Sequence, residues 1–247
     1  MTLLTIDNLE KHYGGVHAVA GVSFSVAIGE RVALIGPNGA GKTTCFNMIG
    51  GQIRPDGGRV LLAGEDITGA PSRALFRKGV GRTFQIATTF GSMTVRENVQ
   101  LALLSHAHRA LGCLSDATDA AAEEARALLA AVGLESQAAR PCDQLAYGDV
   151  KRLELAMALA NAPRLLLMDE PTAGMAPRER HDLMTLVSDI CAQSDLSVLF
   201  TEHDMDVVFG HADRIVVLDR GRLVAQGSQE EVRVDPEVKR IYLGESA

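Results

Sequence analysis

Short apolar runs separated by turn residues open the chain. Residues 3–9 and 16–28 read as strands on either side of Gly14-Gly15, and Arg31-Val32-Ala33-Leu34-Ile35 is a brief apolar run ending in glycines. Runs this short predict buried strands rather than helices. Residues 40–49 predict a helix starting at the glycine turn, and residues 59–63 another strand after Pro55-Asp56-Gly57-Gly58. From about Thr94 to Asn161 the pattern changes: residues 94–108 and 116–132 are rich in Ala, Leu and Glu at helical spacing, with no strand signal between them. After Pro163 alternation returns, with strands at 164–168, 197–201 and 214–219 and helices at 177–191 and 204–210. Strands alternating with helices imply a mostly parallel sheet covered on both faces. Residues 94–161 therefore read as a helical insertion within one α/β domain spanning residues 1–247.

Composition narrows the partners. Hydrophobic residues at 47% and charged residues at 22% are ordinary globular values. A net charge of −7 argues against a nucleic-acid partner, which calls for a basic face. Cys45, Cys113, Cys142 and Cys191 are scattered without a CxxC pair or a nearby His cluster, so neither a metal site nor a disulfide framework is expected. A reduced, cytoplasmic setting fits this usage. The opening Met1-Thr2-Leu3-Leu4-Thr5-Ile6-Asp7 lacks the basic start and apolar run of a signal peptide. No apolar stretch approaches the roughly 18–20 residues needed to span a bilayer, so work at a membrane would need a membrane partner.

The candidate chemistry begins at Gly36-Pro37-Asn38-Gly39-Ala40-Gly41-Lys42-Thr43, which fits G-x-x-x-x-G-K-[ST] between a predicted strand and a predicted helix. Its glycines let backbone N–H groups turn inward around phosphate oxygens, and the helix N-terminus adds its positive end. Lys42 can reach the β- and γ-phosphates and the Thr43 hydroxyl can ligate Mg²⁺, with Thr44 beside it. This motif predicts binding of a nucleoside triphosphate such as ATP. Leu165-Leu166-Leu167-Met168-Asp169-Glu170 is an apolar strand ending in two carboxylates. Asp169 is placed to hold Mg²⁺, and Glu170, pointing elsewhere, to act as general base on the attacking water. Alone, a strand followed by Asp-Glu means only a solvated loop; beside the phosphate loop the odds reverse. Cys45, next to that loop, reads as a small packing residue rather than a nucleophile.

Further residues resemble the ATP-binding subunits of ABC transporters. Leu145-Ala146-Tyr147-Gly148-Asp149 resembles the signature whose usual form is Leu-Ser-Gly-Gly-Gln, Gln85 in Arg82-Thr83-Phe84-Gln85 matches the Q-loop, and His203 in Thr201-Glu202-His203-Asp204 matches the switch histidine. Ala173-Gly174-Met175 occupies the D-loop position, and Tyr13 precedes the phosphate loop where the family places an aromatic stacking on adenine. Within the family, the signature, Glu202-His203-Asp204-Met205 and Tyr242-Leu243-Gly244-Glu245 resemble the branched-chain amino acid importer group. A lipopolysaccharide-export type is the neighbouring alternative.

The resemblance implies a P-loop α/β fold with a RecA-like core, an N-terminal antiparallel β subdomain and a helical subdomain. It also implies ATP and Mg²⁺ as cofactors, with Gln85 joining Thr43 and Asp169 at the metal and His203 at the γ-phosphate. Transmembrane permease subunits and a second ATPase subunit, identical or a paralogue, would be the partners, at the cytoplasmic face of the inner membrane. Residues Ala146, Tyr147, Gly148 and Asp149 would then meet the nucleotide held by the opposite subunit. Ala146 stands where the family places serine, removing one hydroxyl donor to the γ-phosphate. A DNA-acting mechanochemical ATPase would share these motifs, but no sustained heptads lie between Thr44 and Leu165. The apolar loop after Gln85, with Phe90 and Met93, is the expected docking surface for the permease.

Overall fold

The structure is a computed structural model describing residues 1–83, 89–106 and 114–243. The chain runs β1 (Thr2–Tyr13), β2 (Val16–Ala27), β3 (Arg31–Ile35), α1 (Lys42–Ile49), β4 (Gly57–Leu62), β5 (Glu65–Asp66), α2 (Ser72–Arg77) and β6 (Val80–Thr83). It continues through α3 (Val95–His106), α4 (Leu114–Ala131), α5 (Tyr147–Leu159), β7 (Leu165–Asp169), α6 (Pro177–Gln193), β8 (Ser197–Thr201) and α7 (Met205–His211). The last elements are β9 (Arg214–Asp219), β10 (Arg222–Gly227), α8 (Gln229–Val234) and α9 (Pro236–Leu243).

Two sheets form, with strand orders β2-β1-β4-β5 and β10-β9-β3-β8-β7-β6. The first is antiparallel throughout. In the second, β6, β7, β8, β3 and β9 run parallel and β10 is added antiparallel. The central strands are apolar without a break because both of their faces are buried. In β3, Ala33 and Ile35 enter one core while Val32 and Leu34 enter the other. Likewise Leu166 and Met168 of β7 face the helices α3–α7, whereas Leu165 and Leu167 face α1 and the antiparallel sheet. The alternation of strand side chains thus builds two cores from one sheet.

The expected elements are present, with shifted bounds. α1 begins at Lys42 rather than residue 40, and β1 runs on to Tyr13 because register shifts after Ile6 let the polar residues keep pairing with β2. β5, α2, β6, β10, α8 and α9 were not predicted. β6, Val-Gly-Arg-Thr, is too short and polar to signal a strand, yet it pairs in parallel with β7. Between β6 and β7 the described elements are helical, apart from a single bridge between Thr94 and Pro141. α3 opens on a reciprocal cap in which Thr94 N–H donates to Glu97 and Glu97 N–H to Thr94 Oγ1. In α4, Ala121, Ala125 and Leu129 are buried on one face, as an amphipathic helix requires.

Candidate active site

The phosphate loop leaves the sheet at its centre. β3 lies between β8 and β9, so Ile35 delivers the chain to the carboxyl end of the parallel strands, where open α/β sheets hold ligands. At Gly36 an added Cβ would stand 2.1 Å from the Leu218 carbonyl oxygen, and at Gly41 2.3 Å from that of Ala18. Any side chain there would push the loop off β2 and β9. Gly221, in the turn after β9, donates its N–H to Ala40 at 2.9 Å and accepts from Ala20 at 2.8 Å. The loop is therefore fixed by backbone contacts from two strands and one turn. α1 starts directly after Gly41 with no side-chain cap, which leaves its first N–H groups for an anion.

Lys42 is buried, and its Nζ donates to the carbonyls of Gly36 at 2.7 Å and Pro37 at 3.1 Å. Burial pushes its ammonium below the ordinary lysine value, while the carboxylates of Glu170 and Asp169 pull it back up. Residues Asn38, Gly39, Ala40, Gly41, Lys42, Thr43 and Thr44 floor a cleft of about 520 Å³. Tyr13, His17, Glu170, His203 and Arg220 stand in its walls. Tyr13 ends β1 and is half exposed, so its ring can be covered by a ligand.

The strand-end carboxylates diverge. Asp169 Oδ1 accepts from Thr201 Oγ1 at 2.7 Å, and its Oδ2 lies 3.5 Å from Arg82 Nη2. Glu170 adopts φ 48°, a left-handed conformation rare outside glycine, secured by donation of its N–H to Thr201 O and Oγ1 at 3.1 and 3.0 Å. That twist brings its Oε1 to 2.9 Å from His203 Nε2. Strain of this kind, over-determined by its surroundings, points to a functional position.

The signature residues lie apart from the cleft walls. Ala146 precedes α5 without capping it, and Asp149 sits in the helix's first turn. Tyr147 is exposed, with its hydroxyl donating to Ala173 O at 3.0 Å and its ring against Gly174. Gln85 lies outside the described residues, as do residues 86–88 of the expected docking loop. Phe90 is 52% exposed, and its backbone is pinned by the buried Asn98, which accepts from Phe90 N at 2.8 Å and donates to Phe90 O at 3.1 Å. Met93 is partly buried. Burial drives the Cys45 thiol up to about 12, which fits a packing residue.

Sequence reasoning passed over Thr201, Glu202, His17 and Arg220. Thr201 bonds both carboxylate residues, and Glu202, 5% exposed, binds Thr172 and the His203 backbone. The signal for Thr201 and Glu202 was present as two polar residues closing an apolar strand beside a candidate histidine.

A phosphate loop at the tip of a central parallel strand, facing a strand-end Asp–Glu pair, defines a P-loop ATPase. The ABC transporter family profile matches residues 19–173. The chain is 39% identical to the high-affinity branched-chain amino acid transport ATP-binding protein LivG of Escherichia coli, covering 99% of this chain and 98% of that protein. It is 40% identical to the corresponding protein BraF of Pseudomonas aeruginosa, again over 99% and 98%. Its fold superposes with a TM-score of 0.87 on the ADP conformation of MJ1267, an ATP-binding cassette of an ABC transporter, at 33% identity over 99% of this chain and 100% of that one. The chain belongs to the ABC transporter family and is an ATP-hydrolysing subunit. Among the described residues no helix is long and apolar enough to cross a membrane.

Proposed function

We propose that this cassette powers uptake of branched-chain amino acids, or of a closely related small solute, through permease subunits at the cytoplasmic face of the membrane. The end-to-end identity with LivG and BraF carries this reading. Lys42 supplies the charge for the β- and γ-phosphates, exchanging two carbonyl partners for phosphate oxygens. Thr43 and Asp169, with Gln85, would hold Mg²⁺, whose charge offsets that of the phosphates. These hard oxygen donors are few, and no group of three or more His, Cys, Asp or Glu among the described residues could hold a metal. That suits a cation which keeps its waters and substrate oxygens. Glu170 accepts the proton of the attacking water, and His203, already 2.9 Å away, orients it and meets the γ-phosphate. Tyr13 stacks on the adenine.

The exposed start of α5 completes a second subunit's site, with Ala146, Tyr147, Gly148 and Asp149 facing that subunit's nucleotide. Gly148 and the uncapped first turn provide backbone donors although Ala146 lacks a hydroxyl. The permease docks at the Phe90 turn and at a groove of about 370 Å³ between α2, β6, α3 and α5, where the partly buried Phe76, Ala102 and Met157 offer an apolar lining to a partner's helix. Phe90→Glu should leave folding and ATP binding intact while preventing co-purification with the permease; unfolding, or unchanged co-purification, removes this surface. The solute is tested by leucine uptake into vesicles carrying the reconstituted importer with ATP on the cassette side. ATP-dependent leucine accumulation, absent with Glu170→Gln, is expected, whereas ATP turnover with no amino acid uptake contradicts the reading.

A further inference from the structure

Glu202 is a buried carboxylate whose hydrogen-bond donors are neutral. Its Oε1 accepts from Thr172 N at 2.9 Å and Thr172 Oγ1 at 2.6 Å, and its Oε2 accepts from His203 N at 3.1 Å. Removing a charge from water in this way is costly, and an apolar residue would serve mere packing better. What the carboxylate does that an apolar residue could not is bind two segments at once. Thr172, 1% exposed, lies two residues after Glu170, and His203 follows Glu202 directly. Both ends of the 2.9 Å contact between Glu170 and His203 are thus within two residues of a Glu202 bond.

The same turn is held from its outer side. Ala173 N donates back to Glu170 O at 3.1 Å, and Tyr147 Oη donates to Ala173 O at 3.0 Å. A Cβ at Gly174, where φ is 78°, would stand 3.4 Å from the Tyr147 ring, so the ring packs flush against the turn. A continuous series of bonds therefore runs from His203 through Glu202, Thr172 and Ala173 to the first residue of α5.

We propose that Glu202 is a positioning residue for ATP hydrolysis: it fixes the turn after Glu170 against the His203 backbone, and Tyr147 ties that setting to the signature end of α5. The proposal rests on the reading of Glu170 and His203 as the hydrolytic pair. Neither Glu202 nor Thr172 lines the nucleotide cleft, so the restraint acts on turnover and not on ATP binding.

Glu202→Gln tests it in the full-length protein. The amide keeps the shape, but its NH₂ group cannot accept, so at least one of the three donors is left facing a donor. We expect kcat to fall about tenfold with KM for ATP within about twofold, the pattern of a displaced catalytic group. Tyr147→Phe should lower kcat by about threefold, and the double variant should be no slower than Glu202→Gln alone, because both changes release one restraint. A kcat for Glu202→Gln within twofold of native, or losses that multiply in the double variant, overturns the proposal. Should Glu202→Gln fail to fold, Thr172→Val, which removes only the hydroxyl donor, carries the same kcat-against-KM comparison. Native turnover by Glu170→Gln would remove the hydrolytic pair itself, whereas an inert Glu170→Gln beside a native Glu202→Gln removes only this inference.

Discussion

α1 and α5 both begin without a side-chain cap, and the two starts differ in what surrounds them. Two later helices carry such caps: Asp204 accepts from two N–H groups of α7, and Ser228 from one of α8. The start of α1 is enclosed by the chain's own backbone, with carbonyls of Ala18 and Leu218 so close that glycine alone fits, and with Lys42 buried beside it. The start of α5 is open. The atoms nearest to a Cβ added at Gly148 would be those of the Glu179 and Met175 side chains, at 3.7 Å, and Tyr147 is exposed. In the proposed function the enclosed start is a finished phosphate cradle, and the open one presents the same kind of N–H groups outward for a nucleotide held by a second subunit.

The largest expected effect breaks the finished end. Lys42→Ala removes the buried ammonium that the proposed function assigns to the β- and γ-phosphates, and ATP affinity should fall at least about 100-fold by titration calorimetry. Gly36→Ala and Gly148→Ala then set the two ends against each other. The first drives a methyl to 2.1 Å from a carbonyl and should cost about 2–4 kcal/mol in urea unfolding. The second meets ordinary contacts inside a helix, should change stability by no more than about 0.5 kcal/mol, and should still lose ATP-driven pairing. Equal stability losses at the two positions would dissolve the distinction.

The smallest effect concerns the foundation of β3. Arg31 meets Asp213 through Nη2 at 2.6 Å and Nε at 3.0 Å, and its backbone N–H adds a third bond. Burial alone would raise the Asp213 pKa, but these bonds outweigh it and hold the carboxyl below its ordinary value. A depressed acid adds stability above its unfolded pKa, and that stability is lost as pH falls through the lower folded value. With both side chains partly solvated, Asp213→Asn should cost about 1 kcal/mol near neutrality and less below about pH 3, read by urea unfolding at the two pH values.

Much of this was legible in the sequence, for a physical reason. The phosphate loop and the β7 strand are local: Gly36 to Thr43 and Leu165 to Glu170 each carry their chemistry in consecutive residues, and a buried parallel strand announces itself by an unbroken apolar run. β6 and β10 were missed because their pairing depends on neighbours distant in the chain. Thr201 and Glu202 were missed for the same cause, since each acts on a segment about 30 residues away that only the β7–β8 register brings alongside. The divergence of Asp169 and Glu170 was foreseen, whereas the left-handed turn producing it was not. A glutamate at φ 48° has no propensity signal and is imposed by Thr201.

The central claim is that the uncapped starts of α1 and α5 complete each other across a pair of cassettes. Sedimentation of Glu170→Gln, alone and mixed with a paralogous cassette encoded beside it, tests it most directly. The substitution keeps the phosphate loop but removes the base, so bound ATP persists. The account predicts that MgATP doubles the sedimenting mass in at least one of the two samples, and that adding Gly148→Ala abolishes the doubling. A Glu170→Gln protein that binds ATP yet stays monomeric in both samples would contradict it.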